Sequence, residues 1–105
     1  SIERGATMRV AILGAGGNMG RRISGALQGN DAYELRPIER SDRGRELLSA
    51  MGLTTMGQIE AFAGADVVIF AVPDRIVRDV AAEVVPQLDP GTSILFLDPA
   101  AVAAG

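Results

Sequence analysis

The sequence predicts an α/β domain built on a doubly wound parallel sheet. Three observations carry that prediction. Short apolar, β-branched runs recur along the chain, stretches of helical periodicity separate them, and the intervals are long enough for the crossovers that parallel strands require. With right-handed crossovers and a fold-back after the third strand, five strands take the order 3-2-1-4-5.

The elements follow in chain order. MRVAIL at 8–13 is a nearly continuous apolar run, as a strand buried on both faces should be. Residues 18–28 place Met19, Ile23, Ala26 and Leu27 at helical spacing, with Arg21 and Arg22 on the wet side, and Gly29-Asn30-Asp31 stops the helix. YELRPIE at 33–39 alternates as a second strand, and Pro37, which cannot donate to a ladder, belongs where its missing N–H does no harm. Ser41 or Asp42 can cap a helix over about 43–50, and Gly52 lies just past its end. Leu53-Thr54-Thr55 reads as a short third strand, and Gln58–Phe62 as a helical turn ending at Gly64. DVVIFAV at 66–72 is the strongest strand signal. Asp74 then caps a helix to about Val85 whose Ile76, Val77, Val80, Ala81 and Val84 share a face. Asp89-Pro90-Gly91 turns into a fifth strand over 92–97. That strand should leave an open edge, and the helix faces should carry apolar surface that something else covers.

The 105 residues suit one domain, read as 8–105, with 1–7 as a leader before Met8. No apolar run approaches the length that spans a bilayer, and SIERGATM lacks a signal-peptide pattern. The chain has no cysteine, which fits a cytoplasmic setting. Its formal charge of −3 argues against nucleic acid as the main partner. Histidine and lysine are also absent, so every basic residue is arginine, a poor general base. The usual imidazole, amine and thiolate catalysts are therefore missing. A metal site would rest on carboxylates alone, and no catalytic or metal-binding residue is assigned. If the chain takes part in catalysis, a cofactor or other polypeptide must supply the reactive group.

Between the first strand and first helix lies GAGGNMG, 14–20. A strand that turns sharply into a helix presents free amides at the positive end of the helix dipole, where a phosphate fits if no Cβ blocks it. On this reading Gly14 allows the turn and Gly16 and Gly17 admit a pyrophosphate. Gly20 lets the helix pack closely, and Gly14, Ala15, Gly16, Gly17, Asn18 and Met19 form the phosphate cradle. Glu39 stands about twenty residues on, at the end of the second strand, where a carboxylate binds ribose hydroxyls. It favours NAD. Arg40 beside it keeps NADP open, since arginine here can hold a 2′-phosphate. Ala71, Val72 and Pro73 end the fourth strand beside the reversal of strand order, where ligands of such sheets sit. Asp98, after the fifth strand, lies on the same rim and reads as a turn residue. Arg21 and Arg22 read as solvated.

RVAILGAGGNMGRRI, PIERSDRGRELLSAMGL and ADVVIFAVPDRIVRDVAAEVVPQLDPGTSILFLDPAA together resemble the N-terminal domain of the 6-phosphogluconate-dehydrogenase-like oxidoreductases, over nearly all of 8–105. The resemblance implies a Rossmann-type dinucleotide-binding domain. It also implies a helical C-terminal domain that completes the active site and commonly dimerises, and a small-molecule hydroxy acid or sugar acid as substrate of the whole enzyme. By position it places Gly14, Gly16, Gly17, Asn18, Met19, Glu39, Ala71, Val72 and Pro73 on the cofactor and carries over no catalytic residue, so this chain alone is expected to be inactive. Dihydrodipicolinate reductases share the glycine turn but differ after the fourth strand. A non-catalytic nucleotide-binding or interaction module is the alternative from a different class.

Overall fold

A computed structural model describes residues 7–97. Four strands, β1 (Met8–Leu13), β2 (Tyr33–Ile38), β3 (Val67–Phe70) and β4 (Ser93–Phe96), form one wholly parallel sheet in the order β2-β1-β3-β4. The helices are α1 (Asn18–Leu27), α2 (Asp42–Ala50), α3 (Gln58–Phe62) and α4 (Asp74–Val84), and a 3-10 turn at Val85–Gln87 follows α4.

The alternation of β1 builds a core on each face. Val10 and Ile12 join Ala15, Leu48, Ile69 and Ala71, against which Met19, Ile23 and Leu27 of α1 pack. Ala11 and Leu13 join Ile38, Phe62, Val68, Phe70 and Val84 on the side of α3 and α4. Both faces of β1 are thus covered from Val10 to Leu13, which accounts for the apolar run there. In register, Leu13 pairs with Ile38 and with Phe70, and Phe70 pairs with Phe96, so all four strands end on one rim.

The expected strand at 53–55 does not form, so among the described residues the sheet has four strands rather than five. Pro37 supplies the reason. Its carbonyl accepts the Met56 amide at 2.8 Å across the outer edge of β2. Within a strand the N–H and C=O of one residue point to the same side, so the missing Pro37 N–H is also on that edge. One bond survives there, and a ladder does not. The preceding turn matches the expectation: Gly52, at φ +82°, donates to Ser49 O and Leu53 donates to Leu48 O, closing α2 in a Schellman motif.

Two further details differ from the sequence reading. Pro73, not Asp74, is the N-cap of α4; Asp74 is its first helical residue, favourably placed for the helix dipole. Of the expected apolar face of α4 only Val84 is fully buried, and Ile76 is 37% exposed. The side chains of β4 are all exposed, Leu95 and Phe96 by about half, and β4 stands at one end of the described sheet. Asp98 and residues 1–6 of the expected leader 1–7 lie outside the described residues.

Within α1, Ser24 is fully buried and its Oγ finds no hydrogen-bond partner among the described residues. Replacing an unsatisfied buried hydroxyl removes a desolvation penalty, and alanine is the better helix former. Ser24→Ala is expected to raise unfolding free energy by about 0.5–1 kcal/mol, read from urea denaturation.

Candidate functional site

The turn from β1 into α1 is pinned to the end of β2. Gly14 and Ala15 both donate their amides to Ile38 O, at 3.1 and 3.0 Å, and Gly17 donates to Gly14 O at 3.2 Å. Gly14 has φ +78°, and a Cβ there would stand 2.6 Å from Ala71 O. The loop therefore sits over the carboxyl ends of β1 and β3, the strands between which the chain order reverses.

The four loop glycines are not equivalent. A Cβ on Gly16 would lie 2.5 Å from Gly44 Cα, and one on Gly20 would strike Gly14 O and the Ala15 backbone. Those two glycines, with Gly14, are required by contacts inside the protein. Gly17 is not: the nearest atom to a Cβ there is Gly14 O at 3.6 Å, an ordinary contact. Yet Gly17 is the N-cap of α1, with extended backbone at φ −78°, and among the described residues no side chain caps the helix. A Ser, Asp or Asn would fit the conformation and stabilise the helix. Sequence reasoning gave Gly16 and Gly17 one role, and the geometry separates them.

Glu39 joins the loop to α2. Its Oε1 accepts the Gly16 amide at 2.8 Å, and its Oε2 accepts the Ser41 amide and hydroxyl at 3.0 and 2.9 Å. Ser41 Oγ in turn accepts the Gly44 amide at 2.9 Å and caps α2. Burial raises the Glu39 pKa, but the donors from Ser41, Gly16 and Arg40 outweigh it and hold the carboxyl below its ordinary value. Gly44 fits beneath: a Cβ there would meet Glu39 Cδ at 2.5 Å.

Two hollows meet along this rim. One, of about 290 Å³, lies between Gly14, Gly16, Gly17, the start of α2 (Ser41, Arg43, Gly44, Leu47) and Ala71-Val72-Pro73, with Glu39 in its wall. The other, of about 150 Å³, is walled by Leu13, Ile38, Val72, Ile76 and Val80 with Arg40 beside them. They share Gly14, Glu39 and Val72, so they form one crevice across the ends of β2, β1 and β3.

Of the residues singled out in the sequence, Gly14, Gly16, Gly17, Glu39, Ala71, Val72 and Pro73 come together in the larger hollow. Arg40 lines the smaller one, where its Nη2 donates to Glu83 Oε2 at 2.9 Å and to Gln58 Oε1 at 3.2 Å. Ala15, Asn18 and Met19 line neither: Ala15 is buried, Met19 packs on the core, and Asn18 Oδ1 accepts from Arg21. Sequence reasoning gave Ser41 only a capping role, and missed Gly44 as a crevice residue and Ile76 and Val80 as its apolar wall. Gly44 carried a signal, because glycine in the first turn of a helix costs stability and calls for a packing reason.

Residues 9–96 match the family described as NADP oxidoreductase, coenzyme F420-dependent. The chain belongs to this family. It is a Rossmann-type NAD(P)-binding domain of the oxidoreductase class, as the sequence resemblance implied. That resemblance was at its most specific toward the D-apionate oxidoisomerase subgroup, and the relatives agree. The domain is 43% identical over 97 residues to a D-apionate oxidoisomerase of Rhizobium rhizogenes, covering 91% of this chain and 35% of that protein. It is 42% identical over 98 residues to one of Cupriavidus necator, covering 92% and 35%. Among solved structures it resembles a semialdehyde dehydrogenase NAD-binding protein from Cupriavidus necator, in complex with calcium and NAD, with TM-score 0.83 and 41% identity over 94% of this chain and 36% of that one. It also resembles 3-hydroxyisobutyrate dehydrogenase of Mycobacterium tuberculosis, with TM-score 0.73 and 29% identity over 86% and 31%. The chain thus spans about a third of the length of these relatives. Among the described residues no helix is long and apolar enough to cross a membrane.

Proposed function

We propose that this domain binds NAD in preference to NADP and presents it for hydride transfer to or from a hydroxy acid or sugar acid. The observation that carries the reading is Gly17, the one loop glycine whose Cβ would meet only an ordinary contact, standing at a helix start that no side chain among the described residues caps. Protein packing does not require a glycine there, whereas close approach of a phosphate does.

The residues present fit a dinucleotide. The amides of Asn18 and Met19, in the first turn of α1, have no carbonyl a turn earlier in the helix, and they would hold the pyrophosphate together with the helix dipole. Glu39 would accept a ribose hydroxyl through the lone pairs left by its protein donors and would repel a 2′-phosphate. Val72, Ile76 and Val80 offer an apolar wall to the adenine, and Ala71 and Pro73 would line the crevice toward the nicotinamide. When bound, the nicotinamide supplies the carbon that takes or gives the hydride; the chain binds and orients it. The general acid or base and the substrate wall are assigned to polypeptide corresponding to the remainder of the longer relatives, because this sequence holds no His, Lys or Cys. The whole enzyme would act as a homodimer.

Calorimetric titration with NADH and NADPH tests the reading, using wild type and Gly17→Ser. Serine fits this N-cap, so the variant should be as stable as wild type or a few tenths of a kcal/mol more so. Its side chain would occupy the phosphate's approach, and NADH affinity should fall by about tenfold or more. A wild-type chain that binds neither dinucleotide, or a Gly17→Ser chain that binds NADH undiminished, overturns the proposal.

A further inference from the structure

We infer that Arg21 is a positioning residue of the phosphate cradle, holding the Gly16–Gly17 peptide through the Gly16 carbonyl. Its Nη1 donates to Gly16 O at 2.6 Å, and its Nη2 donates to Asn18 Oδ1 at 3.0 Å. The N–H of the same peptide, on Gly17, donates to Gly14 O at 3.2 Å, and the Gly16 amide is held by Glu39 at 2.8 Å. The peptides on both sides of Gly16 are therefore fixed. Without those bonds, adjacent glycines would be among the freest backbone in the chain. A ligand would then have to order them on arrival, at a cost to its affinity.

The charge pattern of α1 supports the same role. Its first turn contains no acidic residue, and a cation at its fourth position opposes the helix dipole. A half-buried arginine there is a liability unless its contacts to the Gly16 carbonyl and Asn18 offset it. The second contact matters separately. Asn18 is a residue type that readily bonds to free amides at a helix start, but its Oδ1 is engaged by Arg21. One planar guanidinium thus shapes the loop and keeps the first-turn amides open. A lysine ammonium, a point charge on a flexible stem, does not reproduce that two-pronged geometry.

The inference rests on the dinucleotide reading for what the cradle receives, but the loop contact can be tested without ligand. The probes are ADP-ribose and adenosine, titrated into the full chain as wild type, Arg21→Met and Arg21→Lys at about 50 and 500 mM salt. Arg21→Met should bind ADP-ribose about tenfold more weakly and adenosine within about twofold of wild type. The loss should be the same at both salt concentrations, because Arg21 acts through an uncharged carbonyl, and Arg21→Lys should recover only part of it. An equal loss for adenosine, no loss at all, or a loss that disappears at high salt and is fully rescued by lysine overturns the inference. In the ligand-free chain, the Gly16 and Gly17 amides should exchange faster with solvent in Arg21→Met, or in Arg21→Lys should the methionine variant not fold. Unchanged exchange overturns it as well. A wild-type chain that binds neither ADP-ribose nor NADH sinks the dinucleotide reading, and the exchange measurement still decides the role of Arg21 in the loop.

Discussion

Gly20→Ala and Gly25→Ala, the same substitution in the same helix, are expected to change stability in opposite directions. Alanine is the better helix former by about 1 kcal/mol in a helix interior, so propensity alone favours both. At Gly25 nothing opposes it: a Cβ would meet only Met51 Cε, at 3.6 Å, an ordinary contact with the end of a flexible side chain. Gly25→Ala should therefore gain about 0.5–1 kcal/mol. At Gly20 the added Cβ would stand 2.6 Å from Ala15 Cα and closer still to Gly14 O. Both belong to backbone held by bonds to Ile38 O, so neither can yield cheaply. To reach normal contact α1 must retreat from the loop by about 1 Å. Overpacking of this kind costs about 1–3 kcal/mol or more, and the propensity gain offsets only part of it. The net expectation for Gly20→Ala is a loss of about 2 kcal/mol, a large share of the stability of a domain this size. NADH binding should fall with it, because the amides of α1 move with the helix. Urea denaturation and calorimetric titration decide the matter. A Gly20→Ala chain as stable as Gly25→Ala would refute the close packing of α1 on the glycine turn.

The contrast between these glycines also marks how far the sequence could be read. The parallel sheet, the glycine turn, the extent of α1 and the cap at Gly52 were legible because each rests on a local pattern: an apolar run, a helical period, a turn residue at a fixed offset. Glu39 was legible as a carboxylate at a strand end. Its bond to the Gly16 amide was not, because it depends on how α2 lies across the loop. For the same reason the contact between Gly16 and Gly44, which leaves no room for a Cβ on Gly16, escaped notice. The strand expected at 53–55 failed on a single missing N–H. Pro37 was recognised as awkward, but which edge of β2 its nitrogen faced became clear only from the Met56 bond. Arg21 read as solvated because helical periodicity places it on the wet side; periodicity says nothing of a long side chain folding back toward the helix start.

Removing the Glu39 carboxylate should weaken both the fold and the choice of cofactor. Its two oxygens accept from Gly16 and twice from Ser41, and its stem fills the space beneath Gly44. Hydrogen bonds to a charged group are worth about 1.5–3 kcal/mol, and partial exposure discounts that here. Glu39→Ala is thus expected to lose about 1–2 kcal/mol, or about 4–15 °C in Tm. Glu39→Gln should cost nearly as much despite its shape, because its amide group would face N–H and O–H donors with donors of its own. The pH dependence has a definite sign. The Glu39 carboxyl lies below its ordinary pKa in the folded chain, so its contribution is complete above about pH 4.3, the unfolded value, and is lost as pH falls through the folded value. The stability gap between wild type and Glu39→Gln should therefore be wide at pH 7 and narrow in acid. Both chains should keep some acid sensitivity through Asp66, whose carboxyl the Arg9 amide and guanidinium also hold below its ordinary value. The cofactor readout is independent of stability. If Glu39 holds the ribose as proposed, Glu39→Ala removes a partner from NADH and a repulsion from NADPH, so the affinity ratio should move toward NADPH by about tenfold. An equal loss for the two dinucleotides would leave Glu39 as a clamp between loop and helix and take the ribose away from it.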